Sequence, residues 1–147
     1  MDPYITVNDA DTYFDERYNS PSWDVSTDTD KLKALKTATR YIDRLNFAND
    51  KTVSTQELQF PRGGDTVVPE NIQWACCEIA YALVDGIEPE LEFENLDMLS
   101  QGYGNVRSTY DRTDRPIHVL NGIPSVVAWR FLMPFLRDVR SVDVIRV

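Results

Sequence analysis

Arg62 lies in the stretch Leu58 to Gly64, L-Q-F-P-R-G-G, and an arginine on a Pro/Gly corner can do several kinds of chemistry. It can pair with a carboxylate on a neighbouring helix, grip a partner, or touch a phosphate. The surrounding letters lack the Gly-x-x-x-x-Gly-Lys-Ser/Thr of a phosphate loop and the Gly-x-Gly-x-x-Gly of a dinucleotide fold. Structural pairing and partner contact therefore stand ahead of nucleotide contact. A second group, Tyr103, Arg107, Tyr110, Arg112 and Arg115, interleaves aromatic and basic side chains, as a single-strand binder does. Asp111 and Asp114 interrupt its positive run. A third group, Arg140, Val144 and Ile145, mixes charge with β-branched residues in the last ten positions, a pattern suited to docking on a partner.

Catalytic chemistry finds less support. His118 is the single histidine, and no nucleophile motif accompanies it. Cys76 and Cys77 are adjacent within a helical pattern, so their side chains diverge by about 100°. Neither has a Cys-x-x-Cys partner, and they read as reduced thiols in or near the core of a cytosolic protein. Spaced zinc ligands are lacking. The acids Asp9, Asp11, Asp15 and Glu16, and the run Glu88 to Asp97, do not follow calcium-loop spacing and read as solvated faces. The expectation is a protein that is not an enzyme, with no catalytic residue, cofactor or metal. A small carboxylate enzyme is the weakest of three alternatives.

The elements that must position these groups come from composition and periodicity. With 147 residues, 42% of them hydrophobic, the chain suits a single domain with a modest core. Its formal charge is −9, which argues against a protein that coats nucleic acid indiscriminately. The charge is uneven. Residues 1–103 hold 8 basic and 20 acidic groups, a net of −12, and residues 104–147 hold 7 arginines and 4 acids, a net of +3. No apolar run reaches bilayer length, and the N-terminus lacks a secretory pattern, so neither secretion nor a membrane is expected.

Thr6 and Asp9 resemble a capping box ahead of a helix over Val7–Tyr18. Leu32, Leu35, Ala38, Ile42 and Leu45 keep 3–4 spacing and predict a helix over Asp30–Leu45. Pro69 and Glu70 open a third, central helix over Pro69–Asp85, with Gly86 just beyond it. Pro124 begins a last helix that Pro134 ends. Asn19–Thr29 reads as loop with Trp23 packed back; Trp74 and Trp129 also read as core. The fold class is mainly α: a small bundle of about four helices in one domain over 1–147. An extended arm or β-hairpin is expected over 101–120 and an extended docking tail over 138–147.

Several ordered stretches resemble the head-tail adaptor family of tailed phages, also called head completion or connector proteins. They are Y-I-T-V-N-D-A-D-T-Y-F, K-A-L-K-T-A-T-R-Y-I-D, L-Q-F-P-R-G-G and V-P-E-N-I-Q-W-A-C-C-E-I-A. The late I-P-S-V-V-A-W-R-F-L-M-P-F-L resembles that family's closing V-x-x-L-L-x-P-Y-L helix, although Phe131 and Met133 depart from its leucines. The resemblance spans Tyr4 to Leu136. It implies a virion protein made in the host cytoplasm and placed at the head-tail junction. There it forms a homo-oligomeric ring, typically a dodecamer, below the portal protein. The ring extends the channel for genome ejection, lets packaged double-stranded DNA pass without specific binding, and receives a neck or tail completion protein. Leu58–Gly64 matches the family's corner, Gly102–Tyr110 its extended segment and Val139–Val147 its docking tail. The partner-binding candidates are thus Arg62, Tyr103, Arg107, Tyr110, Arg112, Arg115, Arg140, Val144 and Ile145. Some members carry a DnaT-like, single-stranded-DNA-binding label, and that is the alternative function.

Overall fold

A computed structural model of the chain describes residues 1–102 and 117–137, with side chains through Leu96 in the first of these segments. The elements are α1 (Val7–Glu16), α2 (Pro21–Asp24), α3 (Asp28–Asp43), α4 (Glu70–Val84), α5 (Pro89–Gly102), α6 (Ile117–Leu120) and α7 (Val126–Leu132), followed by a 3-10 turn over Met133–Phe135. The expected fold of about four helices with an arm or β-hairpin is corrected on two counts. Seven α-helices occur among the described residues, and no strand does, only the isolated bridges Phe47–Leu136 and Lys51–Arg62. At both described ends of the predicted 101–120 arm the chain is helical. Its middle, and the predicted tail over 138–147, lie outside the described residues.

The extra helices have local causes. Pro21 and Pro89 occupy first-turn positions, where the missing N–H costs nothing. Glu90 and Glu92 sit in the first turn of α5, where carboxylates complement the helix dipole. The acidic run therefore starts a helix rather than an irregular segment. Caps set the other boundaries. The Thr6 hydroxyl accepts from the Asp9 N–H at 3.2 Å, that of Thr27 from Asp30 at 3.1 Å, and that of Ser125 from Ala128 at 3.2 Å.

α4 contacts both α3 and α7, and so runs through the middle of the bundle. Small residues make this possible. Ala75, Cys76 and Ala80 of α4 and Ala38 of α3 are wholly buried and let the backbones approach. Leu35, Ile42, Ile72, Ile79, Ile123 and Leu132 fill the layers around them. The Thr39 hydroxyl lies 3.5 Å from Cys76 Sγ, and burial pushes the Cys76 thiol up to about 12. Both cysteines are free and buried.

The connection from α3 to α4 is stitched by side chains. Tyr4 donates its N–H to Thr39 at 3.0 Å and its hydroxyl to Asp43, and the Phe60 N–H donates to the Tyr4 hydroxyl at 3.2 Å. Phe60 is buried between Tyr4, Phe47 and Phe135, meeting each ring edge-on. Arg62 donates to five acceptors: the carbonyls of Phe47, Ala48, Asn49 and Gln59 and the Gln59 side chain. Its pairing is therefore structural, but with carbonyl oxygens in place of the expected carboxylate. Gly63 and Gly64 close the corner at φ of 64° and 89°, conformations that other residues adopt with strain. Arg62→Ala should cost about 2–3 kcal/mol in urea denaturation, since hydrogen bonds from a charged donor are the stronger class. Arg62→Lys should recover less than half of that, because an ammonium cannot reproduce the fork. An unchanged midpoint for Arg62→Ala would contradict this role.

Candidate nucleic-acid interface

The packing of α3 decides what its outer face carries. Ala34, Leu35, Ala38, Thr39 and Ile42 are buried against the core, so positions on the opposite side of the wheel point to solvent. Those positions hold Lys33, Lys36 and Arg40, with Arg44 at the C-cap. Lys33, Arg40 and Arg44 are exposed and Lys36 is half-buried. At 1.5 Å per residue, the row from Lys33 to Arg44 is about 16 Å long.

The cations of this row make no ion pair among the described residues. α3 with its C-cap, residues 28–44, contains five bases (Lys31, Lys33, Lys36, Arg40, Arg44) and three acids (Asp28, Asp30, Asp43), a net of +2 in a chain of net −9. Asp43 faces the 58–60 corner, accepting from the Tyr4 hydroxyl and from the Gln59 N–H at 3.4 Å. Burial raises its pKa above the usual carboxylate range, although these hydrogen bonds oppose the shift. Lys31 is held apart from the row. Its Nζ lies 2.9 Å from Asp11 and 5.1 Å from the Trp23 ring centroid. The other ion pair among the described residues is Arg17–Glu78, so the four outward cations of α3 have no carboxylate partner there.

The row ends at a recess. The Arg44 guanidinium stands 5.1 Å from the centroid of the Tyr41 ring. Tyr41 and Arg44, with Phe93 of α5 and Val119 and Leu120 of α6, line a hollow of about 170 Å³. Phe93 is 43% exposed, unusual for a phenyl ring that a core could use. Glu90 also lines the hollow and disfavours a phosphate there, whereas a flat uncharged ring meets aromatic and aliphatic side chains. His118 on α6 adds no fixed charge nearby: burial lowers its pKa below the ordinary value, with Glu92 pulling it the other way. A cationic row with an aromatic hollow at its end is the arrangement that holds a single strand, the backbone along the charge and a base against the rings.

Of the partner-binding candidates, the one described, Arg62, forms no part of this surface. Arg62 spends its donors on the corner described above. Tyr103, Arg107, Tyr110, Arg112, Arg115, Arg140, Val144 and Ile145 lie outside the described residues. The α3 row was available as a signal, because Lys33, Lys36, Arg40 and Arg44 recur at three and four residues on the face opposite the leucines. Trp23 and Trp129 are core residues, as expected, but Trp74 is only half-buried.

No curated protein and no solved structure matches the chain. A family model does match, over residues 1–120, and its description is "Putative DnaT-like ssDNA binding protein". That match overturns the expected function as a virion connector between head and tail, and supports the alternative. The physical reason lies in what the resembling stretches do. Tyr4, Phe60, Arg62 and the Ala/Cys positions of α4 build the core and its corner. Such residues specify a fold, and a fold leaves function open. With residues 1–120 of 147 spanned by the matching model, the chain belongs to this DnaT-like family.

Proposed function

We propose that the protein binds single-stranded DNA along the outer face of α3. Phosphates lie beside Lys33, Lys36, Arg40 and Arg44, and one base enters the hollow between Tyr41 and Phe93. The observation that carries this reading is a cationic row, in no ion pair among the described residues, ending at an aromatic recess. Family membership supports it independently. Exposed acids elsewhere on the described surface fit as well, because they repel a polyanion and favour its placement at the row. Among the described residues, no group of three His, Cys, Asp or Glu side chains could hold a metal ion.

Fluorescence anisotropy with a labelled oligothymidylate of about 20 nucleotides, against a duplex of equal length, tests the reading. The single strand should bind more tightly, since paired bases cannot enter the hollow. No binding at low salt, or equal affinity for duplex, would overturn it. Tyr41→Ala should weaken single-strand binding by about 5- to 150-fold, the range for one lost base stack. Its salt dependence should stay unchanged, because no phosphate contact is lost.

A further inference from the structure

A second groove lies on another part of the surface and shares no residue with the α3 row. It holds about 560 Å³. Three rings from three helices line it, Tyr13 of α1, Trp74 of α4 and Phe131 of α7, beside Ile5, Thr12 and Gln73. The Trp74 ring centroid is 6.3 Å from that of Tyr13 and 5.9 Å from that of Phe131, so the rings form a continuous aromatic surface. All three are half-buried. Asp9, Glu16 and Glu70 stand around this wall, exposed and without an ion-pair partner among the described residues. Arg17 also reaches the groove, but its charge is already met. Its Nε and Nη2 donate to the two carboxylate oxygens of Glu78 at 3.0 and 3.2 Å. The groove is therefore aromatic inside and has three unbalanced negative charges at its edge.

We propose that this groove is a docking site for an arginine-bearing segment of a different protein. Charge complementarity decides the class of partner: nucleic acid is repelled, and a cation is attracted. Ring chemistry decides the cation. A guanidinium stacks flat on aromatic faces while its edge donates to carboxylates, whereas an ammonium is more strongly hydrated and lacks the planar face. The protein already uses this combination internally. The Arg17 guanidinium lies 4.5 Å from the Tyr81 ring centroid while it is gripped by Glu78. The groove offers the same surroundings to an arginine from outside. One face of the molecule then serves nucleic acid and another recruits a basic protein segment.

The test uses the full chain and the peptide acetyl-Ser-Arg-Leu-Ser-Arg-Leu-Ser-amide, with lysine and citrulline versions of it. Binding is followed by the indole N–H resonance of Trp74 and by calorimetry. The arginine peptide should shift the Trp74 signal. The lysine version should bind about threefold more weakly or worse, and the citrulline version about tenfold more weakly. The double variant Glu16→Gln, Glu70→Gln should lose about tenfold in affinity while keeping its thermal midpoint, since both residues are exposed. Equal binding of the lysine peptide would reduce the effect to general attraction by an acidic surface and overturn the proposal. So would binding unaffected by the double variant. Self-association of the wild type that the double variant abolishes would also overturn it, by assigning the groove to a second copy of this chain.

Discussion

Changing Lys33, Arg40 and Arg44 together to glutamate should abolish single-strand binding, a loss of about 100-fold or more at low salt. The three side chains are exposed, so each change should cost no more than about 1 kcal/mol, the upper end falling to Arg40 and Arg44, where glutamate opposes the dipole at the C-terminal end of α3. The size of the loss follows from the electrostatics of the row. A single strand releases about 0.7 counterion for each phosphate neutralised. Four contacts, from Lys33, Lys36, Arg40 and Arg44, give a slope of log affinity against log salt of about −2.8. Raising salt from about 50 to 200 mM should then weaken wild-type binding by about 50-fold. The milder pair Arg40→Gln, Arg44→Gln removes two of those contacts and should bring the slope to about −1.4. A slope that stays put in this variant would mean that the phosphates lie elsewhere.

The second large effect concerns stability and lies at the α1–α4 contact. Glu78 of α4 is only 4% exposed, and its carboxylate is satisfied by the Arg17 fork and the Tyr13 hydroxyl. Burial raises the Tyr13 pKa, and the hydrogen bond to Glu78 raises it further, so this phenol stays a donor at any ordinary pH. Arg17→Met leaves the carboxylate buried with the phenol alone. The expected cost is about 3 kcal/mol, the lower end for breaking a buried pair, because Arg17 keeps some solvent contact. For a chain of this length that is a fall in thermal midpoint of about 10 °C. The double change Arg17→Met, Glu78→Leu removes both charges. It should return to within about 1–2 kcal/mol of the wild type, since an apolar pair of similar volume pays no desolvation cost. A double variant at least as unstable as the single one would show that packing around the Arg17 stem, and not the stranded charge, sets the loss.

Much of the fold was legible in the sequence because local rules and packing agree. α1 begins where Thr6 caps it, and the 3–4 spacing of Leu35, Ala38 and Ile42 marks the buried side of α3. α4 follows from Pro69, its small residues and Gly86, whose φ of 93° suits the position just past a helix. α5 was hidden by its own charges. Glu88 to Glu94 resemble a solvated run when counted as acids, and become a helix start only when Pro89 and the dipole are weighed with them. The role of Arg62 could not be read locally. Its acceptors are carbonyl oxygens brought from residues 47–49, and their direction depends on tertiary folding. The candidate interface was legible in part. The α3 row needs only a helical wheel, but the net charge of −9 directs attention away from a local surplus of +2 over residues 28–44. The hollow was not legible, because Tyr41, Phe93 and Leu120 meet only once α5 and α6 are placed beside the end of α3.

Photocrosslinking of a 4-thiothymidine-containing single strand to the full chain, with the attachment sites read by mass spectrometry, tests the central claim most directly. The account predicts that crosslinks concentrate on Tyr41 and its neighbours between Lys33 and Arg44, with a second group at Phe93. They should disappear when Lys33, Arg40 and Arg44 are reversed. Crosslinks confined to other parts of the chain, such as the segment bearing Arg107, Arg112 and Arg115, would contradict it.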